Sequence, residues 1–443
     1  MLNPPRAPPL AELELALSSS RPDPACDAAL RATAEGVPVL EILRVAARTA
    51  ASRYDSAAAL PPHGLAALSA AAALPEWMDP RDVPLAVLQA VALLASETML
   101  SSPQPPVPAR TGEVNHLGRS AVLAARSGDP EAESLFLAVV EEGWERRMAG
   151  DVLFRACVED SGDGAHKLPM SVKAWQLARA LGFRDARLIV RPAVQYLLRG
   201  EHSRKLYESS LAVLGKEGTD LEALAAGGRP LDEDGRMRLA TLLAAASEES
   251  CVAGLRGMLR DGYASGSLAG GIGIEAAKRL LAAEGYHIEL VHGLLFTHAA
   301  RFVLQFSRTN ERLYALFEAA LRVRSPAPHL PTVSVAEAKD EAAARERIAE
   351  DLRNRRSREA AACVRAYAMK GYPAKPLLAL LAQAACLDSS LANGGHNLLL
   401  AEACLSDYTG TRAPEFLMAF AKSVAASPKD EIASTAWARS LGR

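Results

Sequence analysis

The sequence predicts an all-α protein, a large single helical bundle or array without significant sheet. Alanine and leucine dominate its 443 residues, of which 49% are hydrophobic, enough to build a sizeable core. Aromatic residues make up only 5% of the chain, and no run of alternating Val, Ile and Thr stands between turn residues. Apolar residues recur instead at the three- and four-residue spacing of helices.

Capping residues indicate where individual helices begin and end. Asp129, followed by Pro130 and an acidic first turn, predicts a helix that runs through Val140 towards Trp144. The stretch 171–181 predicts a second helix, which Gly182 ends in the manner of a C′ glycine.

Further along the chain, Pro192 predicts the start of a segment that reaches Gly200. Asp232 predicts the start of a helix through Leu243. The stretch 335–361 is dense in charge, with Glu and Arg three or four residues apart, which is typical of a solvated helix.

Three segments rich in Pro, Ser or Gly predict loops near 101–112, 262–273 and 325–335. None is long enough to establish a domain boundary, and no repeat of about 34 to 47 residues is found. We therefore predict one helical domain over 1–443, in which 1–105 is a candidate for a semi-independent N-terminal part.

The charge balance excludes some classes of function. Fifty basic residues face 52 acidic ones, so no cationic surplus exists to neutralise phosphates, and a nucleic-acid partner is not expected. The longest apolar run, 83–95, is shorter than the roughly 20 residues of a membrane span, and the N-terminus lacks the pattern of a secretory signal. The six scattered cysteines contain no Cys-x-x-Cys pair and are expected to be reduced and buried in a cytoplasmic protein.

Four histidines stand where a turn flanked by small residues gives way to an apolar helix: His116, His166, His292 and His396. Imidazole is the commonest protein ligand for transition metals. The recurrence predicts one metal ion bound by side chains from four helices. The alternative is that each is a solvated or core histidine, which is the commoner role of a single helical histidine.

One predicted helix carries His287, His292 and His298, and helix geometry limits which of them can act together. His287 and His298 share a face but are separated by about 16 Å along the axis, so they cannot bind the same ion. His292 is the preferred ligand because it stands just before the apolar run 294–296. Polar or Pro-rich neighbours predict that three other histidines are solvated: His63, His202 and His329.

Lys375 lies between Pro373 and Pro376 at the start of another apolar helix. Burial there would lower its pKa, and a neutral amine can capture carbon dioxide to become a carbamate, which is an oxygen ligand for metals. The alternative is that the side chain extends along the apolar surface and keeps its ammonium group in water.

These residues, with the stretches 291–301 and 396–401, resemble the questin-oxidase-like proteins over residues 110 to 420 or so. The resemblance implies a helical non-haem iron oxygenase that acts on dioxygen and a small molecule such as an aromatic or quinone. It also implies Fe(II), or another divalent transition metal, held by His116, His166, His292, His396 and a carboxylated Lys375. His298 and Glu289 become candidates for groups that face the substrate, and a requirement for a nicotinamide is left open.

Other motifs favour different functions less well. The glycine-rich stretch 266–278 follows no strand and lacks the Walker spacing of a phosphate-binding loop. No Gly-x-Ser-x-Gly or His-Glu-x-x-His motif is present. The competing hypothesis is a non-catalytic, repeat-like helical scaffold whose concave face binds a protein partner.

Overall fold

The computed structural model describes residues 8–141, 146–216, 219–226, 228–244, 247–326, 328–330, 333–387 and 392–428. The predicted all-α class is confirmed, because these ranges contain helices and no strand. Their only bridge pairings are isolated ones, between Tyr54 and Met99 and between Arg229 and Tyr263.

The described helices follow one another through connections that are mostly short, the longest being those between α5 and α6 and between α17 and α18. Before the loop at 101–112 lie α1 (Pro9–Ser18), α2 (Pro22–Ala34), α3 (Val39–Arg53), α4 (His63–Ala73) and α5 (Val83–Ser96). The next group is α6 (Val114–Ser127), α7 (Ala132–Glu141), α8 (Arg146–Glu159), α9 (Lys167–Ala180), α10 (Ala186–Arg199) and α11 (Lys205–Lys216). Then come α12 (Leu221–Ala225), α13 (Glu233–Leu243), α14 (Glu248–Arg260), α15 (Ser265–Ala282), α16 (Ile288–Phe306) and α17 (Arg312–Val323). The last group is α18 (Glu341–Arg353), α19 (Ser357–Met369), α20 (Ala374–Leu387), α21 (His396–Thr411) and α22 (Pro414–Ala426).

Several predicted boundaries are confirmed. Helix α7 follows Asp129, although the part predicted towards Trp144 lies outside the described residues. Gly182 adopts the left-handed conformation after α9, with φ of 73°. Asp232 caps α13 by accepting a hydrogen bond of 2.8 Å from the backbone N–H of Gly235. The segment 101–112 and the described part of 325–335 are irregular, as expected.

Two predicted boundaries are wrong because a local signal was given too much weight. Pro192 lies inside α10, which begins directly after Asp185. The stretch 335–361, predicted as one helix, is irregular up to residue 340 and is then divided between α18 and α19. The division occurs at Arg355, whose positive φ of 59° interrupts a helix.

The glycine-rich stretch 262–273, predicted as a loop, is helical from Ser265 onwards as the start of α15. Its glycines permit close packing of neighbouring helices. A Cβ atom on Gly271 would stand 2.6 Å from Leu239 Cδ2, and one on Gly273 would stand 3.0 Å from the ring of Phe416. Tertiary packing here outweighs the low helix propensity of glycine.

Four helices that are distant in sequence form a closed bundle around the candidate site. Helix α4 packs against α9 and α21, and α16 packs against the same two helices. Four to six other helices intervene in the chain between successive members of this bundle. Such long connections allow the four helices to run in the same direction.

The remaining elements cover this bundle. Helix α5 packs on α4, α10 on α9, α17 on α16 and α22 on α21. All six cysteines are buried and none of them forms a disulfide, as predicted. In the described ranges, no helix is both long enough and apolar enough for a membrane-spanning segment.

Candidate metal centre

Four imidazole rings meet where the helices of the bundle begin. His63 is the first residue of α4, His166 directly precedes α9, His396 is the first residue of α21, and His292 lies in the second turn of α16. Ring centroids are 4.3 Å apart for His166 and His292, 4.9 Å for His63 and His396, and 5.1 Å for His63 and His166. We call these four residues the histidine cluster.

Tight turns aim two of these rings into the cluster. Gly164 and Ala165 precede His166 with positive φ, and Gly394 and Gly395 precede His396 in the same conformation. Each turn also places a backbone carbonyl against the Nδ1 atom of its histidine. The distances are 2.9 Å from His166 Nδ1 to the oxygen of Asp163 and 2.6 Å from His396 Nδ1 to the oxygen of Asn393.

These carbonyls determine which ring nitrogen is free. A carbonyl only accepts hydrogen bonds, so Nδ1 carries the proton and Nε2 keeps its lone pair. Metal-binding histidines commonly have this arrangement, in which the second nitrogen donates to a carbonyl or carboxylate. The two turns therefore prepare His166 and His396 to bind through Nε2.

The histidine cluster contains buried nitrogens that have no hydrogen-bond partner in the described part of the chain: His63 Nε2, His166 Nε2 and His292 Nδ1. His292 Nε2 lies 3.0 Å from His396 Nε2 and donates to it, because the His396 atom is unprotonated. His63, His166 and His396 each have one ring nitrogen that could bind a metal ion, and these three nitrogens all lie within 4.8 Å of one another. Two nitrogens bound tetrahedrally to one metal ion are separated by about 3.3 Å, so small side-chain movements suffice.

Three of the four rings are held in their neutral form. Burial, followed by the neighbouring imidazoles, lowers the pKa of His63 well below its ordinary value. Burial likewise lowers the pKa of His292 to about 3 and that of His396 to about 4. The positive ends of the helix dipoles act in the same direction. Neutral imidazoles are the form that binds metals.

Carboxyl groups near the histidine cluster are already engaged. Asp163 accepts a hydrogen bond from the hydroxyl of Tyr196. Glu97 accepts one of 2.6 Å from the backbone N–H of Gly64, and burial raises its pKa to about 8, so it is protonated at neutral pH. The donor set gathered in the described residues is thus composed of nitrogen atoms.

A second group of buried polar residues lies deeper in the bundle. It consists of Lys173 on α9, His298 and Arg301 on α16, and Glu402 and Asp407 on α21. We call it the ionic layer. Lys173 pairs with Glu402 and Arg301 pairs with Asp407, while His298 Nδ1 lies 2.9 Å from Asp407 Oδ1 and its Nε2 3.5 Å from Glu402 Oε2.

The ionic layer keeps His298 protonated. Burial alone would lower the pKa of His298, but the charges of Asp407 and Glu402 raise it to about 9. Glu402 is likewise buried, yet Lys173 and His298 hold its pKa well below the ordinary value. The layer thus alternates three cations with two anions.

The ionic layer lies at a constant distance from the histidine cluster along three helices. Lys173 follows His166 by seven residues, and His298 and Glu402 each follow their histidine, His292 and His396, by six. Six residues of helix advance about 9 Å, so contacts within the layer require the three helices to run in the same direction. His298 is too far away to be a ligand of the same ion.

The structure brings together three of the residues predicted as metal ligands, namely His166, His292 and His396. It does not bring His116 or Lys375 to them. His116 is exposed in the first turn of α6, and Lys375 is exposed at the start of α20. The burial on which the expected carboxylation of Lys375 depended is therefore absent.

The other predicted residues have separate positions. Glu289, a candidate substrate-facing group, is 79% exposed, with its Oε2 3.8 Å from His292 Nδ1. His298, the second candidate, belongs to the ionic layer. His202 and His329 are exposed, as expected. His63 was expected to be solvated, and this is wrong.

The sequence contained a signal for His63 that was not used. Pro61-Pro62-His63-Gly64 precedes a helix of almost only Ala and Leu, which is the same turn-to-apolar-helix pattern as at the other three positions. The recurring six- or seven-residue spacing to Lys173, His298 and Glu402 was also present in the sequence. It becomes meaningful only once the three helices are known to be parallel neighbours.

Comparison with known proteins adds no relative. No family model, curated protein or solved structure matches the chain.

Proposed function

We propose that this protein is a metal-dependent oxidoreductase that binds one divalent transition-metal ion at the histidine cluster. The observation that carries the proposal is the convergence of four imidazoles at the start of four helices, three of them with a buried nitrogen that has no hydrogen-bond partner among the described residues. Leaving a buried polar atom unpaired costs about 1–3 kcal/mol, and a bound ion would offset that cost at several positions together. A purely structural scaffold offers no comparable reason for the arrangement.

Fe(II) is the ion that fits an oxygenase, with dioxygen and a small aromatic or quinone compound as substrates, in keeping with the resemblance to questin-oxidase-like proteins. Imidazole ligands suit iron, zinc, copper and nickel alike. A bound ion of this class would supply redox or Lewis-acid chemistry at an open coordination position. His116 and Lys375 have no part in the proposed site.

The chain's own residues would orient the ligands and hold the charge. The carbonyls of Asp163 and Asn393 fix the rings of His166 and His396. The partial positive charge at the helix N-termini favours an anionic molecule beside the ion. The ionic layer anchors α9, α16 and α21 to one another, so that the ligands on these helices keep their relative positions.

Elemental analysis of purified protein tests the metal site. We expect about one transition-metal ion per chain after anaerobic reconstitution with Fe(II), and loss of that ion in the double variant His63→Gln/His166→Gln. The matched control, His116→Gln/His287→Gln, alters two exposed histidines and should retain the ion. Protein that binds no metal, or a control that loses it equally, would overturn the proposal.

Oxygen consumption tests the oxidoreductase assignment separately. We expect the reconstituted wild-type protein, presented with phenolic and quinone compounds, to consume dioxygen with at least one of them. The His63→Gln/His166→Gln variant should not. If the protein binds the ion stoichiometrically but consumes no oxygen with any compound, the proposed metal site stands and the proposed oxygenase activity is contradicted.

A further inference from the structure

A cavity lies between α19, α22 and the segment before α18. None of the residues that line it belongs to the histidine cluster. It has a volume of about 240 Å³, and most of its lining is apolar. Its aliphatic walls include Leu281, Val335, Met369 and Met418. Among the described residues that line it none is acidic, whereas three are cationic: Arg358, Arg365 and Lys422.

Lys422 is the least usual of these residues because it is a buried cation. Its side chain on α22 is 1% exposed and has no carboxylate partner within the described ranges. The Nζ atom donates hydrogen bonds of 2.8 Å to the carbonyl of Leu280 and 3.0 Å to that of Gly285. These carbonyls at the end of α15 offset part of the charge and leave one N–H to be satisfied.

The two arginines add to an excess of positive charge. Arg358 pairs with Glu284 at 3.0 Å, but that carboxylate is 88% exposed and contributes little screening at the cavity. Arg365 is exposed and has no ion pair in the described part of the chain. Burial and the charge of Arg358 lower the pKa of Lys422 to about 8, which reflects the missing anion.

A second cavity adjoins the first. It has a volume of about 460 Å³ and shares Val335, Ala366 and Met369 with the first. Met369, at the junction, is 75% exposed, the highest value among the large apolar side chains of the described residues. The two cavities together form a groove that is apolar where they meet. The cations of the first cavity lie at one end, and at the other end Lys370 is paired with Glu337.

We propose that this groove binds an aliphatic carboxylate, with the carboxylate at Lys422, Arg358 and Arg365 and the hydrocarbon chain against Val335, Ala366 and Met369. The carboxylate would balance the positive charge of the buried Lys422, and the alkyl chain would cover the exposed side chain of Met369. The site is independent of the histidine cluster and requires no metal.

Isothermal titration with decanoate tests the proposal on the full chain. We expect one decanoate to bind per chain, and octanoate to bind more weakly by about fourfold for each of the two missing methylenes. Decyltrimethylammonium, which has the same tail and the opposite charge, should not bind. If it binds as tightly as decanoate, the groove is only an apolar surface and the proposal fails.

Three variants locate the site. Arg365→Glu reverses an exposed charge without disturbing the core, and Ala362→Leu fills the cavity while leaving its charges in place. We expect each to weaken decanoate binding at least tenfold, and Arg119→Glu, an exposed arginine on α6, to leave it unchanged. Lys422→Met should also abolish binding. Unchanged affinity in Arg365→Glu and Ala362→Leu would overturn the assignment even if Lys422→Met unfolds.

Discussion

Glu318 shares with His63 and His166 the property of burying polar atoms that have no hydrogen-bond partner in the described part of the chain. It lies on α17 with an exposed fraction of 0%, and both carboxyl oxygens are unpartnered. Burial raises its pKa to about 8, against the opposing charge of Arg322. Such a carboxyl group remains protonated at neutral pH.

We expect the free energy of unfolding of Glu318→Gln, relative to that of the wild type, to be higher at pH 8 than at pH 5. In the unfolded chain the carboxyl ionises near 4.5, whereas in the folded protein it holds its proton up to about 8. The wild type therefore loses stability as the pH rises through this window, and the neutral amide does not. We expect the difference in unfolding free energy between variant and wild type to shift by about 3–4 kcal/mol in favour of the variant.

Urea unfolding at the two pH values measures this shift. Glu284→Gln, which changes a carboxyl that is 88% exposed, is the matched control and should show none. Equal differences at pH 5 and pH 8 for Glu318→Gln would mean that Glu318 ionises normally when folded.

Sequence reasoning found some residues of the site and missed others for physical reasons. His166, His292 and His396 were found because a turn before an apolar helix aims a ring inwards. The same pattern failed at His116, since its side chain lies on the exposed side of α6 while Leu117 and Gly118, the next two residues, are buried. It was discounted at His63 because the prolines before it were taken as a sign of exposure. Burial depends on which helices pack together, and local patterns do not contain that information.

At the scale of elements, the turn before α21 positions His396. Gly395 caps the helix with φ of 77°, and a Cβ atom there would stand 2.5 Å from Leu93 Cδ2 on α5. Gly371 has a similar φ of 69° with no atom within 4 Å of the corresponding position. The two glycines separate the cost of the backbone conformation from the cost of the contact.

Gly395→Ala is therefore expected to destabilise the protein by about 2–3 kcal/mol, and Gly371→Ala by about 1 kcal/mol. Gly395→Ala should also weaken metal binding, because displacement of the turn moves His396. Urea unfolding and Fe(II) titration measure the two effects. Equal losses of stability in the two variants would show that the contact with Leu93 relaxes without cost.

The ionic layer links three helices, and its contribution to stability depends on pH. The folded-state pKa of His298, about 9, lies above its unfolded value of 6.5. The group therefore contributes stability that is fully present below pH 6.5 and is lost as the pH rises through 9. We expect His298→Gln to cost about 3 kcal/mol more at pH 6 than at pH 9.5 in metal-free protein.

His287→Gln provides the control for this measurement, since His287 is an exposed residue at the start of the same helix. Thermal or urea unfolding at the two pH values gives the comparison. A cost for His298→Gln that does not change with pH would indicate that the imidazole is neutral in the folded protein.

Helical periodicity was sufficient to predict the fold class but not the arrangement of the helices. Caps at Asp232 and Gly182 act locally and were found. The helical state of 265–273 was missed because it depends on Leu239 and Phe416, which approach from other helices. The parallel order of α9, α16 and α21 was beyond reach for the same reason.

At the scale of the whole molecule, the N-terminal part contributes to the interior of the bundle. Helix α3 packs on α10, α4 on α9 and α21, and α5 on α20. Helix α4 also supplies His63, so the histidine cluster requires residues from both sides of the loop at 101–112. The sequence suggested 1–105 as a candidate for a semi-independent part, whereas these contacts predict that the rest of the chain depends on it.

We expect a chain of residues 106–443 alone to lose cooperative unfolding and to bind no metal. This truncated chain lacks α4, so the apolar faces of α9 and α21 that α4 covers become exposed, and exposed apolar faces promote aggregation. The truncation also removes His63 from the histidine cluster. Size-exclusion chromatography, thermal unfolding and Fe(II) titration give the measurements. Co-expression of 1–105 with 106–443 is the matched control, because cutting one irregular loop leaves every helix intact, and the reassembled pair should recover one metal ion. If 106–443 is monomeric and unfolds cooperatively by itself, the N-terminal part is a separable module and the four-helix bundle does not depend on α4.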